Sequence, residues 1–407
     1  MLKPSLGIIK EGKIPPDARV AFTPGQCSDL IKEGWDVKVQ SCPFRCYSDE
    51  EYKSFNVPVV ENVPDAEILI GIKEVPIDQL VENKTYFFFS HTIKKQIHNR
   101  KLLQSAIAKN ISLIDYEVLT DENGERLIAF GRFAGIVGAH NGLYTYGKRT
   151  GLFDLPRMMS FQHYSDAKEY YKKVKWPAIK IVLTGKGRVG NGAADVLKDM
   201  GFENVSPHDF LTKDFERAVF TQLDCMDYVL KKSGDRFEKS EYYQYPERFE
   251  MDFMKYLNQA DIFINGIYWD KNSLQFFTLT DLANPDFRTK VIADITCDIA
   301  PESSVPVTVR ASTIIDPVYG FNPTTFTECA PYAEKCIDVM AIDNLPNELP
   351  RDASESFGEK FLSTILPELM LDKSSVIERA MIIKSGVLTD HFRYLSEYVN
   401  HDSVHPQ

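Results

Sequence analysis

The stretch Ile179–Met200, IKIVLTGKGRVGNGAADVLKDM, decides the fold. Ile179–Thr184 is a short aliphatic run, suited to a buried strand. Gly185-Lys186-Gly187-Arg188-Val189-Gly190 follows, and Asn191–Met200 carries its apolar residues at helical spacing. Strand, glycine-rich turn and helix in that order predict a βα unit built to hold a dinucleotide. Gly185 makes the tight turn, Gly187 admits a pyrophosphate close to the backbone, and Gly190 lets helix pack on strand. Arg188 and Val189 complete that loop, and the helix N-terminus offers free N–H groups and partial positive charge to phosphates. The fingerprint also asks for an acid about 20 residues on. Asp209, following Asn204–Ser206, stands near that point. A carboxylate there accepts from ribose hydroxyls and repels a 2′-phosphate, which favours NAD(H).

Working outward, the first third alternates strands and helices. Leu6–Ile9, Trp35–Val39, Glu67–Ile72, Tyr86–Phe89 and Ile111–Asp115 read as strands, with helices expected over Pro24–Glu33 and Lys94–Lys109. Such alternation favours a parallel, doubly wound sheet. Arg126–Gly138 is punctuated by glycine and Tyr164–Trp176 is polar and linker-like. Residues 212–257 are charged and tyrosine-rich, and read as an insertion of helices and loops. Ala260–Ile267 and Val291–Ile295 look like further buried strands, and the chain from Ala341 onward is mostly helical by pattern, notably Phe361–Leu371 and Val376–Ile383. The expected architecture is α/β, with two Rossmann-like doubly wound lobes flanking a cleft. Residues 1–140 and 342–407 would form a substrate-binding lobe, the C-terminus returning to it. Residues 141–341 would form the dinucleotide lobe.

Composition narrows the function. With 47 basic and 58 acidic residues the net charge is −11, which repels phosphate polymers and anionic membranes, so neither nucleic acid nor membrane is an expected partner. No apolar run approaches the roughly 20 residues of a membrane span, Leu127–Ala139 being broken by Arg132. The apolar N-terminal run Leu6–Ile9 is too short for a signal segment. Seven scattered cysteines are expected to be reduced and buried, as in a cytoplasmic protein. Cys42 and Cys46 lack a second Cys/His pair at ligand spacing, so no metal is expected.

Ionisable residues recur where the first-lobe strands end: Lys10, Arg19, Lys73, Glu74, His91, Lys94, Glu117 and Arg126. Strand ends feed the crevice where open α/β sheets bind ligands. Clustered cations there would suit a carboxylate-rich substrate and pull a lysine's proton affinity toward neutrality. Taken singly, each reads more readily as a solvated charge, Lys73-Glu74 as a strand-end ion pair and His91 as a core histidine. His98, His140, His163, His391, His401 and His405 read as structural or exposed.

GIIKEGKIPPDARVAFTP (7–24) resembles the opening of the alanine dehydrogenase and transhydrogenase superfamily. IGIKEVP (70–76), FFSHTIKKQ (88–96), LIDYEVL (113–119) and ERLIAFGRFAGIVG (125–138) more specifically resemble lysine-forming saccharopine dehydrogenase and the lysine–ketoglutarate reductase part of aminoadipic semialdehyde synthase. ADIFINGIYWD (260–270), ADITCDI (293–299) and AIDNLPNELPRDASESFG (341–358) continue the likeness. The resemblance implies acid/base roles for Lys73 and His91. It implies substrate contacts for Arg19, Lys94, Arg126, Phe130, Thr296 and Asp298, with Glu74 and Glu117 tuning the base. It adds Tyr268, Ile295, Ile342, Asp343 and Leu345 to the positions lining the cofactor. Asp209 falls where the NADPH-using branch has a glutamate, so NADP(H) stays open beside NAD(H).

The reaction implied joins the ε-amine of L-lysine to the ketone of 2-oxoglutarate. Loss of water gives an imine, and hydride reduction of the imine gives saccharopine. Alanine dehydrogenase chemistry, pyruvate plus ammonia, is the alternative within the superfamily. A non-catalytic nucleotide-binding protein on the same scaffold is the alternative outside enzymes.

Overall fold

The computed structural model describes residues 3–400, so His401 and His405 lie outside the described residues. Two units result, residues 1–129 with 350–407, and residues 130–349.

In the first unit, all three residues of Leu6–Ile8 are buried, as suits a strand flanked on both sides. It pairs in parallel with Val37–Gln40 and with Ile68–Ile70. The sheet runs Val387–Leu388, Met381–Lys384, Ser112–Asp115, Thr85–Phe88, Ile68–Ile70, Leu6–Ile8, Val37–Gln40, Val59–Val60. Its first six strands in chain order are parallel, and the returning C-terminus adds an antiparallel edge at Ser112–Asp115. The helix Pro350–Thr364 belongs to this unit because its aromatics complete the core. Phe361 meets Phe22 and Phe87 edge-on, and Phe357 meets Tyr116.

The second unit is another eight-stranded sheet: Thr327–Cys329, Tyr319–Asn322, Ile337–Met340, Val291–Asp294, Ile262–Asn265, Lys180–Thr184, Val219–Leu223, Glu203–Asn204. The last six in that order are parallel. The doubly wound α/β reading therefore holds for both units.

Several local readings need correction. Residues 212–257 are not only an insertion, since they supply Val219–Leu223, a core strand of the sheet. The rest of that segment forms the hairpin Val229–Lys231/Phe249–Met251 and short helices. The helix expected over Lys94–Lys109 starts only at Arg100, after two 3₁₀ turns. Val376–Ile383 is half helix, Ser375–Ala380, and half strand, Met381–Lys384. The linker-like Tyr164–Trp176 contains the helix Tyr164–Tyr171. Five cysteines are free thiols, but Cys329 and Cys336 are joined as a disulfide, against the reading of seven reduced thiols. Among the described residues no helix is long and apolar enough to cross a membrane.

The largest surprise is Gly131–Thr150, a 20-residue helix through the glycine-punctuated segment. Glycine weakens an isolated helix by about 1 kcal/mol per residue. Tertiary packing overrides that here. A Cβ on Gly135 would lie 2.0 Å from the carbonyl oxygen of Val189, and one on Gly192 would lie 2.1 Å from that of Arg132. The helix and its neighbour Arg188–Asp199 thus cross backbone to backbone through reciprocal glycines.

Gly135→Ala is expected to lower unfolding stability by about 1–3 kcal/mol, the usual cost of overpacking. A thermal or urea melt checks it, and an unshifted transition would disprove the close crossing.

Candidate active site

Sheet geometry brings the first-unit candidates together. Ile68–Ile70 and Thr85–Phe88 are parallel neighbours, and Phe89 N–H donating to the Ile72 carbonyl (2.9 Å) carries the pairing past the strands. Both chains then leave the sheet at its carboxyl edge, placing Lys73, Glu74 and His91 side by side. Glu11, beyond the strand on the other side, accepts from the amides of Ile72 (2.6 Å) and Lys73 (2.8 Å). Its carboxyl is pushed up to about 8, by burial first and then by Asp17, against the two amides and Arg19.

Lys73 is itself shifted, from an ordinary lysine value down to about 8. Burial is the main cause, and Arg19 and Lys13 add to it by repulsion, while Asp17 and Glu74 oppose it. Arg19 is buried, and its Nε and Nη2 donate to the two carboxylate oxygens of Asp17 at 2.9 and 2.6 Å. These two nitrogens face Asp17, and Arg19 acts on Lys73 through charge.

His91 Nδ1 pairs with a Glu74 carboxylate oxygen, and Phe89 stacks on the imidazole. Burial would raise the Glu74 carboxyl, but His91, its own amide and Lys73 hold it below the ordinary value. His91 has φ 54°, a left-handed conformation uncommon for a side chain with a Cβ. Buried Asp115 fixes that turn, accepting from the amide and hydroxyl of Ser90 and from the amide of Glu117. Next to it, Glu117 Oε1 receives Lys94 at 3.2 Å and Arg126 at 3.4 Å, and both cations stay half exposed. Glu117 Oε2 is buried with no hydrogen-bond partner. The cluster thus offers a poised amine, an oriented imidazole, two cations and one spare acceptor.

In the second unit Gly185 has φ +97° and lies against the Gly266 carbonyl, where a Cβ would come within 2.5 Å. A Cβ on Gly187, by contrast, would meet nothing within 4 Å, so the space above the loop is open for a phosphate to approach. Gly187 caps the twelve-residue helix Arg188–Asp199. Gln222 ties the loop down, donating to the Gly185 carbonyl (2.9 Å) and to Asn191 (3.0 Å). A helix N-terminus, a tight glycine turn and open space fit a pyrophosphate.

The remaining candidates are dispersed through this unit. Asp209 lies in the first turn of the short helix Pro207–Thr212 and pairs with Lys213 at 2.9 Å. Thr296 donates to buried Asp294 (2.7 Å), and Asp298 is half-buried beyond it. Ile295 and Leu345 pack around Gly138, Ile342 is buried, and Asp343 is exposed. Tyr268 is 94% exposed. Phe130 is buried at the start of the long helix, and Arg188 is exposed. Glu11, Asp17 and Asp115 escaped the sequence reading. Nothing in sequence separates a buried charge beyond a strand from a solvated one, and only their position directly after or between strand-end motifs could have hinted at it.

Residues 7–137 match the family model of the alanine dehydrogenase/PNT N-terminal domain. The chain is 28% identical to the mitochondrial alpha-aminoadipic semialdehyde synthase of Rattus norvegicus over 97% of its length and 48% of that protein's. It thus spans about half the length of the synthases it matches. It is 27% identical to the saccharopine dehydrogenase (NAD(+), L-lysine-forming) of Emericella nidulans, covering 86% of this chain and 89% of that one. For the enzyme of the same description from Yarrowia lipolytica the figures are 28%, 90% and 93%. Among solved structures, an L-alanine dehydrogenase matches with TM-score 0.65 and 15% identity over 97% of this chain and 98% of that one. The transhydrogenase of Sinorhizobium meliloti matches with TM-score 0.61 and 13% identity over 94% and 99%. At those identities the structures speak for the fold alone.

Acylation by an amine-selective reagent, followed across pH by peptide mass spectrometry, should modify Lys73 with a midpoint near pH 8. Only the neutral amine reacts, so a midpoint at the ordinary 10.5 would remove the poised lysine.

Proposed function

We propose that the chain, which resembles the alanine dehydrogenase/PNT N-terminal domain over residues 7–137 and the lysine-forming saccharopine dehydrogenases over most of its length, is a nicotinamide-dependent oxidoreductase interconverting saccharopine with L-lysine plus 2-oxoglutarate. One observation carries the reading most: a lysine with its proton affinity brought to about 8 stands in the same strand-end cluster as a carboxylate-paired histidine. Forming an imine from an amine and a ketone needs a base for the attacking nitrogen and an acid for the departing water.

His91 takes the proton released as the lysine ε-amine attacks the oxo-acid ketone. Glu74 holds the ring by Nδ1, leaving Nε2 for the substrate. Lys73 donates a proton to the carbinolamine oxygen as water leaves. Near neutral pH both its charged and neutral forms are accessible, so it can return to its starting state. Arg126 and Lys94, half exposed at Glu117, receive substrate carboxylates, and Arg126 can do so in a two-pronged geometry that an ammonium cannot match. Phe130, Thr296 and Asp298 are proposed on the substrate side. When bound, the nicotinamide supplies or accepts the hydride.

In this reading residues 1–129 with 350–407 form the substrate lobe and residues 130–349 the dinucleotide lobe. Gly185, Gly187 and Gly190 receive the pyrophosphate, with Arg188 and Val189 at the helix opening. Tyr268, Ile295, Ile342, Asp343 and Leu345 line the rest of the cofactor. NAD(H) is the favoured dinucleotide.

Purified protein is expected to oxidise NADH or NADPH with L-lysine plus 2-oxoglutarate in a spectrophotometric assay. Activity confined to pyruvate plus ammonia would replace the substrate assignment with that of an alanine dehydrogenase. Lys73→Met and His91→Ala should each lower turnover by about 10²–10⁴-fold, the range of general acid–base catalysis, while dinucleotide affinity stays nearly constant. Wild-type turnover in both variants would remove the pair from the mechanism.

A further inference from the structure

The second sheet departs from the order of its strands in sequence, and that moves the position from which a nucleotide ribose is read. In a dinucleotide-binding sheet the strand beside the glycine-loop strand, on the side away from the later strands, ends in the acid that receives the ribose hydroxyls. The next strand in this chain, Glu203–Asn204, does not take that place. It is two residues long, with both residues exposed, and at the sheet edge. Val219–Leu223 occupies the inner position instead, five residues long and mostly buried, paired in register from Lys180↔Val219 to Thr184↔Leu223. A longer apolar strand gains more by lying between two neighbours than a two-residue polar one would.

This order places Asp224 level with the first glycine of the loop. Gly185 N–H donates to the Leu223 carbonyl at 3.0 Å, and Asp224 is the next residue. Gln222, on the same side of the strand as Asp224 by the two-residue alternation, reaches the Gly185 carbonyl and Asn191. Asp209 follows the outer strand, two strand spacings from the glycine strand, or about 10 Å, and its carboxylate is paired with Lys213.

Resting on the dinucleotide reading above, we infer that Asp224, not Asp209, is the ribose-binding and NAD(H)-selecting residue of this chain. Its carboxylate is aimed by its own surroundings. Oδ1 accepts from the Cys225 amide at 2.8 Å, Lys239 Nζ approaches both oxygens at 3.1 and 3.2 Å, and the Asp224 amide donates to Asp227 Oδ2 at 2.8 Å. Burial would raise this carboxyl, but the Cys225 amide and Lys239 outweigh it and hold it below the ordinary value, so it is ionised at neutral pH. A fixed negative charge there accepts two ribose hydroxyls and repels a 2′-phosphate. Lys239, on the helix Lys239–Gln244, is the facing cation and limits how strong that repulsion becomes.

The test is direct titration of the whole chain with NADH and with NADPH, followed by nucleotide fluorescence, for wild type, Asp224→Asn, Asp209→Asn and Gly187→Val. Asp224→Asn keeps an acceptor for the Cys225 amide, and an unchanged circular dichroism melt verifies that it folds. We expect wild type to bind NADH more tightly than NADPH. Asp224→Asn should weaken NADH about tenfold, as fits the loss of a charge-assisted hydrogen bond, and narrow the preference over NADPH. A larger loss at Asp209→Asn than at Asp224→Asn overturns the inference, as does a wild-type preference for NADPH. If Gly187→Val abolishes binding while Asp224→Asn leaves the ratio of affinities unmoved, this inference fails and the dinucleotide reading stands. Binding of neither nucleotide by wild type overturns that reading and this one together.

Discussion

A half-buried carboxylate ties the first unit's candidate site together. Glu11 stands beyond one strand and accepts from two successive amides just past the next, those of Ile72 and Lys73. The backbone groups at a strand end have no ladder partner, and unpaired buried amides are costly. Glu11 satisfies them and in doing so fixes where Lys73 leaves the sheet. Asp115 does the same one strand further on, holding Ser90 and Glu117 so that His91 takes its left-handed backbone conformation. The site is thus a row of strand ends whose loose backbone groups are tied by two acids, one half-buried and one buried, and the side chains facing the ligand are carried by those ties.

The electrostatics follow from the same burial. Removing charges from water raises Glu11 and lowers Lys73, the two directions expected for an acid and a base that share a desolvated patch. The bidentate Asp17–Arg19 pair lies within reach of both and acts on them in opposite senses. A buried ion pair of this kind contributes little net stability, because desolvation offsets most of its attraction. Its effect is on proton affinity. A lysine held near neutrality is suited to passing a proton in both directions, which a reversible imine-forming reaction requires.

The second unit rests on a different constraint, the close approach of two helices. Gly131–Thr150 and Arg188–Asp199 touch through backbone at Gly135 and Gly192. The first turn of the dinucleotide loop's helix is therefore seated against a long neighbour. The same segment that reads as a glycine-punctuated coil in one dimension is the central buried helix in three. Helix propensity, a preference of tenths of a kcal/mol up to about 1 per residue, is overridden by the packing of thirteen buried residues.

Periodicity and local chemistry determined much of this protein by themselves. Short apolar runs marked most parallel strands, and Gly185-x-Gly187-x-x-Gly190 between strand and helix identified the phosphate-facing turn, because these are rules of neighbouring residues. Lys73, Glu74 and His91 could be singled out by recurrence at strand ends and by resemblance, but not shown to meet. What only the tertiary structure decided lies in long-range choices: that Arg19 turns to Asp17, that Met381–Lys384 pairs with Ser112–Asp115 as a strand, and that Val219–Leu223 displaces Glu203–Asn204 from the inner place beside the glycine strand. Each is a competition for burial between segments far apart in the chain, and a competition of that kind leaves no mark in the spacing of either competitor.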